Sequence, residues 1–327
     1  MKLYYIFIGV FLIVACDNEL NIIEGKKDIP IVYGVLSSID TAQYIRIERA
    51  FVDENTSALV LAKIADSLYY SSALVSIIDN STGIEYTLEK VDAGLEGYPR
   101  EDGVFAQSPN YLYKIISNNI SLVSDHEYEL VIKRNESLPE VKAATRLVGA
   151  SQILTPSSSI GFAYVQPTKI RWRPGANARI FDISIEFNYR ERVTSSSSGF
   201  ERKSVTWNMA KNINSTGVEI EEFEQVGINF YSFLAGAITA DPEIERRFDN
   251  ISVILDSGGE EIFELNRLND ANLGITSSQD IPFYTNLSEG RGIFSSKYQE
   301  ILPDLPLKSS SEDSLIMGII TKQLNFK

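Results

Sequence analysis

The sequence has one cysteine and one histidine, Cys16 and His126, in 327 residues. Zinc, haem and iron–sulfur sites draw most of their ligands from these two residue types, so this chain alone is not expected to build one. A single imidazole also leaves a Ser-His-Asp or Cys-His mechanism only one possible base. Without a second cysteine there is no internal disulfide. We therefore expect no cofactor.

Basic residues are also scarce, because 30 Lys and Arg stand against 44 Asp and Glu, for a net charge of −14. Binding to phosphates needs a basic surface, so nucleic acid is not expected as a partner. The remaining composition, 44% apolar and 23% charged residues, is that of a globular chain. The length suits one large or two modest domains.

The longest apolar run lies at the N-terminus. Lys2 precedes about a dozen apolar residues, too few to span a bilayer but typical of a signal-peptide core. The run ends in Ile13-Val14-Ala15-Cys16, which resembles a bacterial lipobox, where a small residue precedes the cysteine that receives the lipid. We predict a lipoprotein signal peptide at 1–15, acylation of Cys16 by diacylglycerol and a fatty acid such as palmitate, and a flexible tether at 16–29. The alternative is a plain secretory peptide with a chance cysteine.

Alternation of apolar and polar residues dominates the rest of the chain and predicts half-buried strands. The clearest strand spans Phe181 to Tyr189, where odd-numbered residues are apolar and even-numbered residues are polar. We predict a mainly β protein with two sandwich-like domains, 30–148 and 149–327, and a few short inserted helices. The Ser-rich stretch 149–161 is interpreted as a linker or a long crossing between them. The strand that carries Trp172, followed by the long alternating strand, resembles immunoglobulin-like and fibronectin-III sandwiches.

Helices are predicted where the alternation stops, at Ala58–Ser67, Asn229–Ile238 and Glu260–Leu268. Asp241-Pro242-Glu243 has the order of an N-cap, a first-turn proline and a first-turn acid, which predicts a further helix start. Leu315–Thr321 is predicted to be a buried final strand.

Carboxylates are the one catalytic group in good supply, and a glycosidase needs only two of them. Four glutamates cluster in one segment and are expected to form a solvated face: Glu219, Glu221, Glu222 and Glu224. Two acidic pairs could supply oxygens to calcium but lack the spacing of a calcium loop: Asp53-Glu54 and Glu101-Asp102. His126, between two acids, is expected in a solvated turn. We predict no catalytic, cofactor-binding or metal residues.

The aromatic side chains are the other candidates for a ligand surface, with 16 Tyr, 16 Phe and 2 Trp. Four tyrosines are singled out as possible ligand-surface aromatics: Tyr69, Tyr70, Tyr111 and Tyr113. Most aromatics in the chain occupy alternating strand positions, so core packing is the stronger interpretation.

Several segments together resemble one family. They are the lipobox, Ile31–Leu36, Tyr44–Ile47, Asp182–Ile185, Tyr189–Glu191, Tyr284–Asn286 and Gly290–Phe294. These segments resemble an uncharacterised family of cell-envelope lipoproteins of Bacteroidetes-type bacteria, known as a domain of unknown function. Such lipoproteins are often encoded beside TonB-dependent outer-membrane receptors, so the resemblance implies a receptor as partner. The family supplies no catalytic residue.

Three functions follow as hypotheses. The first is a lipid-anchored, non-catalytic binding or accessory module of the outer membrane, facing the periplasm or the outside. It would assist a TonB-dependent receptor or hold a glycan or peptide, and it predicts an exposed aromatic or apolar patch. The second is an envelope hydrolase that uses carboxylates, which predicts acids facing across a pocket. The third is a structural or adhesive envelope component.

Overall fold

The computed structural model describes residues 28–50, 56–195, 199–272 and 283–327. Within these ranges the chain is mainly β, with fifteen strands and five short α-helices, which confirms the predicted fold class. The signal peptide, Cys16 and most of the tether lie outside the described residues, as do Asp53 and Glu54.

The first half of the chain forms two facing sheets with a hydrophobic core between them. One has the order β1-β2-β6-β5 and the other β4-β3-β7-β8. The strands are β1 (Ile29–Leu36), β2 (Ala42–Ala50), β3 (Leu74–Asp79), β4 (Ile84–Thr87), β5 (Glu89–Asp92), β6 (Tyr111–Ile116), β7 (Glu127–Lys133) and β8 (Val141–Arg146). Two short helices, α1 (Ala58–Leu61) and α2 (Ala65–Leu68), lie between β2 and β3, where a single short helix over Ala58–Ser67 was predicted.

The second half forms two further sheets around a second core, with the orders β12-β11-β14-β15 and β13-β10-β9. The strands are β9 (Gln152–Thr155), β10 (Pro167–Arg173), β11 (Ile180–Val193), β12 (Glu201–Asn214), β13 (Glu221–Val226), β14 (Ile244–Gly258) and β15 (Arg291–Leu305). The helices are α3 (Ile228–Ala237), α4 (Glu260–Asn272) and α5 (Ser309–Met317). The odd-numbered residues from Phe181 to Tyr189 are all buried, as their alternation predicts.

A single strand, β15, joins the two halves into one eight-stranded sheet. Its first part pairs in parallel with β1, and its second part pairs antiparallel with β14. Gly292 allows the parallel contact, because a Cβ at this position would lie 1.9 Å from the carbonyl oxygen of Val32. Leu147 belongs to the first core and Val148 to the second, but Leu287 and Phe294 return to the first. The two cores lie on either side of residue 148, but one sheet contains strands from both halves. The division into two domains at residue 148 therefore stays a prediction.

The Ser-rich stretch contains β9, so it is not a plain linker, and the alternative of a long crossing between two domains stays a prediction. Two local predictions are wrong. Asp241 does not start a helix; its side chain accepts a hydrogen bond from the Glu243 N–H, and this turn leads into β14. An acid two residues before a free N–H suits an Asx turn as well as a helix cap. Leu315–Thr321 begins in α5 and continues beyond its end, and Met317 and Ile319 are largely exposed, so it is not a buried strand.

Candidate functional site

The four tyrosines chosen from the sequence lie together, but they do not form an exposed surface. Tyr69, Tyr70 and Tyr113 are only 6%, 8% and 3% exposed. The ring of Tyr111 is partly buried and meets Tyr69 edge to face, with ring centres 5.3 Å apart. The expected ligand surface at these residues is therefore corrected to core packing, which follows from their inward alternation on β6 and their position after α2.

Tyr70 takes part in a charged cluster where the tether meets the fold. Its hydroxyl donates to the Asp28 carboxylate at 3.0 Å. The guanidinium of Arg134 lies 2.7 Å from Asp28 and 3.0 Å from Glu289. The Arg134 side chain is only 1% exposed. Burial, together with the nearby negative charge of Asp28, raises the pKa of the Tyr70 hydroxyl, so it stays a donor. The cluster thus links Asp28, the first residue of the described ranges, with three segments that are distant in the sequence, at Tyr70, Arg134 and Glu289.

A polar cleft of about 650 Å³ lies at the junction of the two cores. The first half contributes Glu127, Thr145 and Arg146, and the second half contributes Asn177, Arg179, Ser215, Glu260 and Glu261. Its volume lies within the range of small-ligand sites, roughly 300–1,000 Å³, and such sites often occur between domains. We name this surface the junction cleft.

Glu261 is the buried acid of the junction cleft. It stands in the first turn of α4, directly after the Gly258-Gly259 pair that ends β14. Its Oε2 accepts hydrogen bonds from the hydroxyls of Thr145, at 2.9 Å, and Ser295, at 2.8 Å. Burial raises the pKa of the Glu261 carboxyl, although these two hydroxyls act in the opposite direction. Glu261 therefore keeps its proton to a higher pH than an ordinary glutamate.

The other charged groups of the junction cleft are more exposed and only partly paired. Arg179 lies 2.7 Å from Glu260, with both side chains half exposed. Arg146 is 62% exposed and lies 3.9 Å from Asp125 and 4.0 Å from Glu127, at the outer limit of an ion pair. Such exposed pairs are weak and reorganise at low cost. The cleft thus offers donors of both arginines and carboxylate acceptors to a polar molecule.

Three of the four clustered glutamates at and before β13 form ion pairs with basic residues on β10. Lys169 lies 2.8 Å from Glu222 and 3.2 Å from Glu224, and Arg173 lies 3.6 Å from Glu219. Glu221 points the other way and accepts hydrogen bonds from Ser215 and Thr216. Glu219, Glu222 and Glu224 are thus exposed, as predicted, whereas the prediction of a solvated position is wrong for Glu221, which is 5% exposed.

The possible metal ligands and the single imidazole have defined surroundings in the described ranges. No group of three or more potential ligand side chains there could hold a metal ion, and Glu101 and Asp102 are exposed loop residues. His126 is less solvated than expected, because its Nδ1 lies 3.0 Å from the buried carboxylate of Asp79. Asp79 also accepts the Ser81 N–H, so this pair closes a turn at the end of β3.

Exposed aromatic rings occur on the outer face of the first sheet. Tyr33 is 52% and Tyr98 59% exposed. Tyr33 and Tyr44 line a shallow groove of about 380 Å³ together with Leu112 and Ile293. Tyr98 packs against Tyr44 with ring centres 5.6 Å apart. This outer-face groove is a further concave surface that could hold a ligand.

Sequence reasoning identified neither Glu261 nor Arg134 as a special residue. Thr145 and Ser295 are 116 and 34 residues away from Glu261 in the sequence, and Arg134 is 106 residues from Asp28. The one available signal was the Gly-Gly-Glu-Glu order at 258–261, which predicts a helix start with acids in its first turn. It does not predict what the acids contact.

Comparison with known proteins adds little. No protein-family model matches the sequence, and no curated protein does either. The chain is similar to the C-terminal globular domain of an oligosaccharyltransferase from Pyrococcus abyssi, with 10% identity and a TM-score of 0.26, over 69% of this chain and 41% of that one. The chain thus covers less than half of that structure's length, and a TM-score this low carries no functional argument. In the ranges that the structure describes, no helix is long and apolar enough to cross a membrane.

Proposed function

We propose that this protein is a lipid-anchored lipoprotein of the outer membrane that binds a glycan or a peptide without chemical turnover. In this proposal the lipid on Cys16 holds the protein to the membrane, and the junction cleft takes the ligand. A TonB-dependent receptor is its partner, as the family resemblance implies. The observation that carries the binding role is the junction cleft, a concave polar surface built by both cores.

The anchor is supported by the position of the only cysteine. Cys16 follows an apolar run and Ala15, at the place where a lipobox needs it. Asp28 lies twelve residues further on and is fixed to the fold through Arg134. Twelve extended residues reach about 40 Å, which leaves room between a bilayer and a folded domain.

A non-catalytic role for the junction cleft is supported by its mixed charge. Arg146 and Arg179 offer several N–H donors, and Glu127 and Glu260 offer carboxylate oxygens. Groups of both signs suit a polyhydroxylated sugar or the charged groups of a peptide. The weak ion pairs of Arg146 leave its guanidinium available to a ligand.

A hydrolase is the second candidate, and one observation favours it. Glu261 has a raised pKa and stands in a cleft with two further acids, Glu127 and Glu260. A carboxyl that keeps its proton can act as a general acid while a second carboxylate acts as base or nucleophile. This function requires Glu261 to reach a substrate, although the residue is only 9% exposed.

The anchor is tested by metabolic labelling with a palmitate analogue and by fractionation. The wild-type protein should carry the label and sediment with membranes. Cys16→Ser should carry no label and should accumulate as precursor or be released as soluble protein. A Cys16→Ser protein of mature size that still sediments with membranes would show that the anchor lies elsewhere. Protease treatment of whole cells then separates a periplasmic from a surface location.

The junction cleft is tested by binding to a panel of defined oligosaccharides and peptides, followed by calorimetry of each hit. Arg146→Ala should weaken binding several-fold, because it removes donors from the cleft while breaking only long ion pairs. Arg171→Ala is the matched control, since Arg171 is a similarly exposed arginine on β10 outside the cleft. Binding that survives Arg146→Ala and is lost in Tyr33→Ala would move the site to the outer-face groove.

Measurement of turnover distinguishes the hydrolase alternative from the binding proposal. Each hit from the binding panel is incubated with wild-type protein and with Glu261→Gln, and the products are analysed by mass spectrometry. Products formed by the wild type and absent with Glu261→Gln would replace the binding proposal with the hydrolase. Co-purification from detergent-solubilised envelopes tests the receptor: a TonB-dependent receptor should be enriched with the lipidated protein.

A further inference from the structure

Five large apolar side chains stand exposed on two neighbouring loops of the first half. Leu59 and Val60 of α1 are 62% and 53% exposed, and Ile64 in the turn after α1 is 46% exposed. On the loop before β6, Val104 is 51% and Phe105 39% exposed. We name these five residues the tether-side patch.

The two loops form one surface. The Ala106 N–H donates to the Ala62 carbonyl at 2.7 Å, which joins the loop before β6 to the turn after α1. The guanidinium of Arg100 lies over the Phe105 ring, 4.6 Å from its centre, and contacts the Tyr69 hydroxyl at 3.4 Å. Arg100 is itself held by Glu48 at 2.9 Å. These contacts hold the two segments together, so the exposed apolar side chains lie on one defined surface.

This surface lies at the end of the sheet where the tether leaves the fold. Arg49 donates to the carbonyls of Asp66 and Ser67, and it stands opposite Pro30 in the pairing of β1 with β2. Tyr70, which follows α2, donates to Asp28. The residues that follow Ile64 are thus tied to the start of the fold, through Arg49 to Pro30 and through Tyr70 to Asp28.

We propose that the tether-side patch rests in the interfacial layer of the bilayer that holds the lipid on Cys16. The inference rests on the proposed lipid anchor. A tether of twelve residues from Cys16 confines Asp28 to within about 40 Å of the membrane surface. Confinement of this kind gives the patch a high effective concentration of lipid. Apolar side chains at such a surface gain from moving into the boundary between headgroups and acyl chains.

The charge around the patch indicates how it would bind. Among the described residues of the two segments, 56–68 and 100–106, the exposed charged side chains are Lys63, Asp66, Glu101 and Asp102, which carry one positive and three negative charges. An acidic rim gives no attraction to anionic lipids, so contact depends on apolar burial. The contact should therefore resist high salt, in contrast to a polybasic membrane site.

The orientation has a consequence for the junction cleft. Strand β7 and the next residue lead from Glu127, in the cleft, to Arg134, at the tether. Seven residues of strand span about 23 Å. A tether-side patch on the membrane would hold the cleft at the far end of the first sandwich, away from the bilayer and open to a ligand.

The test uses the lipidated full-length mature protein with one new cysteine at a time. Acylation turns the thiol of Cys16 into a thioether, so the new cysteine is the only free thiol. Leu59→Cys and Ile64→Cys report on the patch after coupling to an environment-sensitive fluorophore. Ile84→Cys and Ile319→Cys are the controls. Ile84 is 50% exposed at the opposite end of the same sandwich, and Ile319 is 79% exposed after α5.

The labelled proteins are reconstituted in phosphatidylethanolamine–phosphatidylglycerol vesicles that contain nitroxide-labelled lipids. Labels at positions 59 and 64 should be quenched several-fold more than those at 84 and 319, with no loss of quenching at high salt. Equal quenching at all four positions would overturn the proposal. The unlabelled cysteine variants are also treated with a water-soluble thiol reagent. Thiols at positions 59 and 64 that react slowly in native envelopes but rapidly in vesicles would also overturn the proposal and assign the patch to a protein partner. Mass spectrometry before reconstitution shows whether Cys16 carries lipid, so failure of the anchor is seen separately.

Discussion

The guanidinium of Arg134 lies 2.7 Å from the carboxylate of Asp28, at the point where the chain begins its first strand. Arg134 follows β7, and Asp28 precedes β1, so the ion pair ties the two facing sheets of the first half together. Tyr70 adds a hydroxyl donor and Glu289 a second carboxylate. Because the Arg134 side chain is only 1% exposed, its charge depends on these partners in place of solvent.

Arg134→Ala should lower the free energy of unfolding by about 3 kcal/mol, because it leaves Asp28 and Glu289 without their buried cation. Unfolding in urea, followed by circular dichroism, measures the change. Lys133→Ala is the matched control, since the neighbouring Lys133 is half exposed and lies 3.3 Å from Glu140. The control should lose less than about 1 kcal/mol. Equal losses in the two variants would refute a structural role for the Arg134 cluster.

Gly292→Ala should prevent the native pairing of β15 with β1. Gly292 has a φ of 111°, and an added Cβ would lie 1.9 Å from the Val32 carbonyl oxygen. The backbone strain and the clash act together, so we expect a loss of about 4 kcal/mol or more. Gly236→Ala, in α3, is the control: a Cβ there meets nothing within 4 Å, and alanine should stabilise the helix by up to about 1 kcal/mol. Similar unfolding midpoints for both variants would contradict this account of the junction.

The strands could be predicted from the sequence wherever one face is buried and the other is solvated. The run from Phe181 to Tyr189 is the clearest example, because its five odd-numbered side chains all enter the second core. Trp172 on β10 meets Phe181 with ring centres 5.2 Å apart, so both predicted inward faces share that core. Helices α3 and α4 were also predicted, because each is a long stretch without alternation.

Contacts between distant segments could not be predicted in this way. The pairing of β15 with both β1 and β14 depends on the close approach of Gly292 to Val32. The sequence shows only a glycine beside a strand. Glu261 depends on hydroxyls from β8 and β15, and a helix-start pattern carries no information about them. The apolar residues after Ser314 suggested a strand because hydropathy alone does not show that Met317 and Ile319 face solvent.

Asp79 should stabilise the fold at neutral pH and lose this effect in acid. Burial alone would raise the pKa of its carboxyl, but hydrogen bonds with His126 and the Ser81 N–H outweigh burial and lower the pKa below its ordinary 3.8. A lowered pKa in the folded state gives stability that is present above the unfolded pKa and is lost as the pH falls through the folded pKa.

The comparison is between wild type and Asp79→Asn. The asparagine side chain would keep the shape of the aspartate but not its charge, so the wild type should be more stable at pH 7 by about 1–2 kcal/mol. The difference should shrink as the pH falls below about 4. Urea unfolding at a series of pH values measures it. A difference that stays constant down to the acid limit would show that the charge of Asp79 contributes nothing.

Glu261 should show the opposite dependence on pH. Burial raises the pKa of its carboxyl above the ordinary 4.5, with smaller opposing effects from Ser295 and Thr145. A raised pKa in the folded state gives an acid its full stabilising contribution below the unfolded pKa, and the contribution is lost as the pH rises through the folded pKa. At higher pH the fold must carry a buried charge that the hydroxyls of Ser295 and Thr145 and the Glu261 backbone N–H compensate only in part.

Glu261→Gln stays neutral at every pH and can still accept hydrogen bonds from Thr145 and Ser295. Its free energy of unfolding, relative to wild type, should therefore increase as the pH rises above about 4.5. Glu260→Gln is the matched control, because Glu260 is the chain neighbour, is half exposed and is paired with Arg179. Its difference from wild type should show no such increase. A flat difference for Glu261→Gln between pH 4 and pH 8 would mean that the carboxyl ionises without cost, and the junction cleft would then hold an ordinary carboxylate, unsuited to act as a general acid.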